Sequence, residues 1–187
     1  MNVKTINKHG IVKWFGHLTV LIKTLRLTII TDPIFSEWIG KPGFGAVRYG
    51  KLPRFTKQDI EDVDIILLSH AHLDHLDIPT LKKFDPDKTR IITARGTSDV
   101  MSRLGFEIEE LGWNQFASGI GDKNMIKALR VDHLDWRYPL ERGRSCNAYL
   151  MSCNGYVIFF GGDMALPIRF RLRDTPVHLA ILPIGRS

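Results

Sequence analysis

The run Ile65–Leu68 is wholly apolar, and the nine residues after it, SHAHLDHLD (Ser69–Asp77), carry three of the chain's seven histidines and two aspartates. A buried strand that ends in so many ligand-type side chains must end against something that uses them. His70 and His72 are two apart, so in an extended chain they point to one face. A helical ligand pair would need four-residue spacing instead, as in HExxH. Asp74 and His75 follow where the strand turns, and adjacent residues in a turn can converge on a second point nearby. Imidazole and carboxylate suit zinc, manganese or iron, and no thiolate lies close by in the sequence. One short segment can therefore supply half the ligands of two adjacent metals. The rest must come from elsewhere.

The candidates stand at strand ends. Asp32 follows LTIIT and precedes Pro33, a place where aspartate is also an ordinary turn former. His133 follows IKALRVD; Asp132 competes with it, but alternation along a strand lets only one face inward, and the imidazole is the better match. Asp163 follows YVIFFGG, where paired glycines allow a sharp turn close to another segment.

The rest of the chain supports a globular enzyme. At 187 residues and 44% apolar content it can form one domain, 1–187, with a core. A quarter of its residues are charged, interspersed with apolar runs, which excludes a disordered chain. The N-terminal MNVKTINKHGIVKWF has no apolar signal-peptide region, and no apolar run is long enough to span a bilayer. Cys146 and Cys153 read as reduced core residues rather than a bridge. These features fit the cytoplasm. The formal charge of +6 is scattered, without a Lys/Arg block, so it reads as solvated surface and not as a nucleic-acid footprint.

β-Branched and aromatic residues predict strands over Ile11–Phe15, Thr19–Lys23 and Leu27–Thr31, followed by a Gly/Pro-rich loop over Ile39–Phe55. Thr56 and Asp59 form a capping-box pattern before the strand Asp64–Ser69. Asp77 is placed to cap a helix over Ile78–Phe84, with Pro79 in its first turn. A strand over Arg90–Ala94, a helix over Ser98–Leu104 and a strand near Glu107–Leu111 come next. Strands over Met125–Val131, Ala148–Met151 and Tyr156–Phe160 follow, the last two joined by the hairpin signal Asn154-Gly155. A basic helix over about Leu166–Arg173 and a buried strand HLAILPI end the pattern. The expectation is an α+β fold of packed sheets covered by helices.

Together WFGH (Trp14–His17), TDPIFS (Thr31–Ser36), Arg48-Tyr49, SHAHLDHLD, His133, FFGGD (Phe159–Asp163) and LPIG (Leu182–Gly185) resemble the metallo-β-lactamase-fold hydrolases. They are most similar to the branch typified by N-acyl-phosphatidylethanolamine phospholipase D. The resemblance runs from about Val12 to Gly185. It implies an αββα sandwich with two metals at one edge of the sheets, zinc being expected and manganese or iron the alternatives. His70, His72 and His133 would hold the first, Asp74 and His75 the second, and Asp163 would bridge both. Asp32 would orient ligands, and Asp74 would also orient the attacking water. Such a metal brings the pKa of bound water to about 7, making hydroxide available for hydrolysis.

His17 would lie near the cluster, either facing substrate or as an ordinary turn histidine. Arg137 and Arg142 would suit a phosphate, and Trp136 would wall the pocket or anchor its loop. The implied substrate is a phosphodiester, in a small molecule or in a lipid at a membrane surface. A lactonase acting on a phosphorylated sugar acid and an inactive shortened relative are the alternatives. Gly161 and Met164 depart from the family's usual Ala and Thr. In the family, segments beyond LPIG bring one more histidine to the second metal, and His178 begins a strand rather than ending one. The resemblance thus implies a fold incomplete at its C-terminal end, about one metal per chain, and weak activity.

Overall fold

The computed structural model describes residues 3–6, 10–39, 47–48, 55–131, 143–164 and 176–184. Strands β1 (Val3–Ile6), β2 (Gly10–Gly16), β3 (Thr19–Lys23) and β4 (Thr28–Thr31) come first. A two-stranded ribbon, β5 (Trp38–Ile39) with β6 (Val47–Arg48), precedes the one-turn helix α1 (Lys57–Ile60) and β7 (Ile65–Leu67). Helix α2 (Ile78–Leu81), β8 (Arg90–Ala94), a 3-10 turn (Ser98–Met101) and β9 (Ile108–Leu111) follow. Last come β10 (Asn124–Arg130), β11 (Asn147–Cys153), β12 (Tyr156–Phe160) and β13 (Leu179–Ile181).

Among the described residues, one sheet runs β1-β2-β3-β4-β7-β8-β9 and a second runs β10-β11-β12-β13. Neighbours from β1 to β4 are antiparallel, and those from β4 to β9 are parallel. Of the parallel strands, β4 and β7 are buried throughout and β8 is buried after Arg90, IIL in β7 being the clearest apolar run, whereas β9, IEEL at the edge, is only partly buried. Alternation assigns their faces. Val20, Ile22, Ile29, Ile65, Leu67 and Ile92 pack in one core with Ile126, Ala128, Tyr149, Met151 and Phe160 of the second sheet. Leu21, Ile30, Ile66 and Ile91 point the other way, onto Leu76, Leu81, Phe84 and Met101. The first sheet is thus sandwiched between the second sheet and a layer of short helical turns. The outer face of the second sheet carries its own apolar cluster of Ala148, Leu150, Phe159 and Val131.

Most expected strands form within a residue or two of their expected limits. The loop expected over Ile39–Phe55 instead contributes Ile39 to β5 and Val47–Arg48 to β6, which pair, and three further elements differ. The helix expected over Ile78–Phe84 is regular only to Leu81, and i→i+3 bonds from Lys83 to Thr80 and from Phe84 to Leu81 finish it. Asp85 precedes Pro86, which disfavours helical backbone there. The expected helix over Ser98–Leu104 is a 3-10 turn, and Gly105 at φ +82° ends the segment. The final strand is not buried throughout: Ile181 is, Leu179 is partly so, and Ala180 is exposed, because β13 pairs only with β12 among the described strands. The Thr56–Asp59 box is present, the Thr56 N–H and hydroxyl both donating to Asp59 at 2.8 Å. Asn154 and Gly155 both take positive φ, +51° and +84°, as a tight two-residue hairpin turn requires. The basic segment 166–173 lies outside the described residues.

Candidate metal centre

β4 and β7 are parallel neighbours, so the segments that leave them emerge at the same edge of the sheet. The Asp32 N–H donates to Leu67 O at 3.0 Å, and the Leu68 N–H to Ile92 O at 2.9 Å, extending the ladder just past both strands. The TDPIF segment is then pinned by threonines. Thr19 Oγ1 donates to Asp32 O (2.8 Å) and accepts from the Ile34 N–H (3.0 Å), while Thr80 Oγ1 accepts from the Phe35 N–H (2.7 Å). This places Asp32, fully buried and at φ +32°, under the histidine cluster.

The Asp32 carboxylate has both oxygens engaged. It accepts from the Ser69 N–H (2.7 Å), from the Ser69 hydroxyl (2.6 Å) and from His75 Nδ1 (2.7 Å). Because the Ser69 hydroxyl gives its one hydrogen to Asp32, its contact with His70 Nδ1 at 2.8 Å has the imidazole N–H as donor. Both His70 and His75 are therefore held by Nδ1, directly or through one hydroxyl, on a single buried carboxylate. Their Nε2 atoms are turned to the opposite side. That is the arrangement by which outer groups fix the tautomer of metal-binding histidines.

The loop Ser69–Asp77 gathers the remaining groups. The His75 and Leu76 N–H groups both return to His72 O (3.0 and 2.9 Å), closing the turn. The His70 ring lies 4.4 Å from that of His72 and 4.1 Å from that of His75, centre to centre. β7 itself stops at Leu67, so it is this loop, and not continued strand pleating, that brings His70 and His72 to one side. Asp163 arrives from the second sheet. Gly162, at φ +57°, approaches so closely that an added Cβ would stand 2.7 Å from Ser69 Cβ. Asp163 Oδ2 reaches 3.2 Å from His75 Nε2, and Asp74 Oδ2 lies 3.6 Å from the same nitrogen.

Among the described residues, three groups of donor atoms could hold a metal ion: His70, His72 and Asp163; His17, Asp74 and His75; and, on the buried side, Asp32, His70 and His75, where the Asp32 network already engages the Nδ1 atoms of both histidines. In each group the donor atoms lie within 4.8 Å of one another. Imidazole nitrogens and carboxylate oxygens without thiolates are a donor set that fits zinc, manganese or iron. The electrostatics agree. Burial opposes charge on His75, but Asp32, Asp163 and Asp74 overcome it and raise its pKa to about 10. The surplus negative charge that holds that proton would equally hold a cation. Burial and the neighbouring His75 lower the pKa of His17, against the pull of Asp74, Asp32 and Asp163.

The structure brings His17, Asp32, His70, His72, Asp74, His75 and Asp163 together, drawn from both sheets. His133, its rival Asp132, Trp136, Arg137 and Arg142 lie outside the described residues, as does the side chain of Arg48 and all of Tyr49. His178 is held on the second sheet, its Nδ1 accepting from the Val157 N–H at 3.0 Å. The departures at Gly161 and Met164 are coupled, since a Cβ on Gly161 would stand 2.7 Å from Met164 Sδ. Sequence reasoning gave no role to Ser69, whose hydroxyl links Asp32 to His70. It also missed Asn147 and Tyr149. The Asn147 N–H donates to Ser69 O (2.9 Å) and the Tyr149 hydroxyl to Leu68 O (2.8 Å), tying the loop to the second sheet. Ser69's place at the head of the histidine motif was the available signal; for the other two there was none.

The family model described as beta-lactamase superfamily domain matches residues 28–187. The chain is 25% identical to N-acyl-phosphatidylethanolamine-hydrolyzing phospholipase D 1 of Caenorhabditis elegans over 190 residues, 92% of this chain and 52% of that protein. It is 28% identical to a metal-dependent hydrolase of Ligilactobacillus salivarius, over 93% of this chain and 72% of that one. Among solved structures, the diiron β-hydroxylase CmlA from Streptomyces venezuelae shares the fold with a TM-score of 0.67 at 19% identity, over 95% of this chain and 35% of that one. The chain spans about half the length of the first curated relatives it matches, 48% and 52%.

Proposed function

Because the chain belongs to the beta-lactamase superfamily and has the metallo-β-lactamase fold, we propose that it is a metal-dependent hydrolase acting on a phosphodiester. The observation that carries this reading is the pair of donor groups, His70–His72–Asp163 and His17–Asp74–His75, sharing one edge of the two sheets. The motif likeness to the phospholipase D branch, and the 25% identity to its nematode member, support the phosphodiester. The layering is read as αββα, supported by the turns on the first sheet and the apolar outer face of the second. Buried, unbridged Cys146 and Cys153 are in keeping with a reducing cytoplasm.

His70, His72 and Asp163, with His133, are the ligands proposed for one metal; Asp74 and His75, with Asp163 between, are those for the other. Zinc, manganese or iron bound there would supply a Lewis acid and a water acidic enough to lose its proton near neutral pH. The chain's own residues do the rest. Asp32 holds His75 directly, and His70 through Ser69, so that each presents Nε2. Asp74, 39% exposed, faces both the centre and solvent, where its carboxylate can accept a proton from the attacking water. Arg137 and Arg142 are proposed to meet the phosphate and Trp136 to line its approach, with a lipid or small-molecule phosphoester as partner.

The test is hydrolysis of a bis-aryl phosphate, a lactone and a carboxylic ester by purified protein with zinc or manganese added. We expect phosphodiester turnover that chelation abolishes and that His70→Ala reduces by at least about 100-fold, since a lost ligand costs more than the outer partners do. Lactone opening without phosphodiester cleavage, or no turnover of any substrate, would overturn the reading.

A further inference from the structure

We propose that His17 is a metal ligand, completing with Asp74 and His75 the second cation-binding point. The inference rests on the reading of a metal centre given above and adds to it a donor from a different part of the chain. His17 sits in the turn between β2 and β3, fifteen positions or more away from any other member of the site in sequence. Nevertheless its Nε2 lies 3.7 Å from Asp74 Oδ2, and His75 Nε2 lies 3.6 Å from that same oxygen. The His17 and His75 rings meet edge to face at 4.7 Å.

These distances discriminate between two roles. Where a histidine and an aspartate of this site hydrogen-bond, the separation is short: His75 Nδ1 to Asp32 Oδ2 is 2.7 Å. At 3.6 and 3.7 Å neither contact with Asp74 is a hydrogen bond. Ligands bound about 2.0–2.1 Å from a tetrahedral metal are separated from one another by roughly 3.4 Å. These two spacings are close to that edge length, and all three donor atoms lie within 4.8 Å of one another, within reach of one ion.

The backbone at His17 is a second, separate observation. It takes φ +48°, a left-handed conformation that costs a non-glycine residue free energy, and it follows Gly16 at φ +107°. Trp14 Nε1 donates to His17 O at 2.8 Å, holding the turn in this form although the Trp14 side chain is half exposed. Across a bulge in the β2–β3 pairing, the turn aims its one imidazole at the loop of the other ligands. An ordinary turn would place Asn or Gly here at less cost.

The test is a zinc titration of the whole chain against a chromophoric chelator, together with the absorption spectrum of the cobalt-substituted protein. His17→Asn and His17→Gly are the variants, because both residues accept left-handed backbone. Matching near-ultraviolet circular dichroism of the metal-free proteins establishes that the fold is kept. The resemblance alone implies about one metal per chain; with His17 as a ligand beside Asp74 and His75, we expect the unsubstituted chain to bind two zinc ions. Both variants should keep one site intact and weaken the other by at least about 10-fold, with a changed cobalt spectrum for the second equivalent. Unchanged affinity and spectrum at both sites in both variants would overturn the proposal, as would a single zinc that the variants retain in full. A chain that binds no zinc removes this proposal and the metal centre together. Loss of zinc in His70→Ala with none lost in the His17 variants removes this proposal alone.

Discussion

Asp32 organises the centre from beneath, and its substitution separates charge from shape. Asp32→Ala leaves His75 buried beside fewer carboxylates and strips Ser69 of two hydrogen bonds. Removing one partner of a buried ion pair costs about 3–5 kcal/mol, which urea denaturation of the metal-free protein would measure. Asp32→Asn keeps the shape but can turn an amide N–H toward His75 Nδ1, favouring the wrong tautomer. We expect roughly 10–100-fold weaker zinc binding with a smaller loss of stability. Gly162 is a second residue of the centre at which a substitution is costly. Gly162→Ala meets Ser69 Cβ at 2.7 Å on a left-handed backbone, so it should cost about 1–3 kcal/mol and displace Asp163. Thermal denaturation read beside zinc content tests this; unchanged zinc would show that Asp163 stays in place. None of this packing is visible along the chain, because the atom that Gly162 avoids belongs to the loop that follows β7 of the other sheet.

At the scale of elements, the short helical turns depend on side chains from neighbouring strands. Glu110 of β9 accepts from the Gly96 and Thr97 N–H groups (both 2.9 Å) and the Ser98 N–H (2.7 Å), which start the 3-10 turn. Burial would raise its pKa, but these donors outweigh burial and leave it below the ordinary value of 4.5. A carboxylate depressed in the folded state contributes stability that is complete above its unfolded pKa. That contribution is lost as pH falls through the folded value. Glu110→Gln should therefore be less stable than the parent at neutral pH, and the gap should close as pH falls below the ordinary glutamate range and through the lowered folded value. Denaturant midpoints of both proteins across that range decide it. A strand residue capping a turn twelve or more positions earlier leaves no local pattern, which is why the segment after Ala94 reads as a helix from sequence.

Across the whole molecule, the two sheets are joined beside the centre by β11. Tyr149, fully buried, donates to Leu68 O, and its neighbour Asn147 donates to Ser69 O and Leu111 O. Tyr149→Phe leaves the Leu68 carbonyl without this donor, and should cost about 1–3 kcal/mol. It should also loosen zinc binding by letting the loop drift from the second sheet, which equilibrium unfolding and zinc titration would follow together. The sequence alone determined the strands, through β-branched alternation, and the ligand types, through the density of histidine and aspartate at one strand end. It also placed Asp32 and Asp163 at the ends of their strands, because strand ends carry turn chemistry in the local residues. Only the tertiary structure decided that these ends meet. Parallel pairing of β4 with β7 set Asp32 under His75, and close packing of Gly162 on Ser69 carried Asp163 across from the second sheet. A left-handed turn at His17 added an imidazole from the far side of the first sheet's hairpin. Propensity and spacing act over a few neighbouring residues, whereas these contacts join positions tens of residues apart, and only the packing of two sheets brings them within reach.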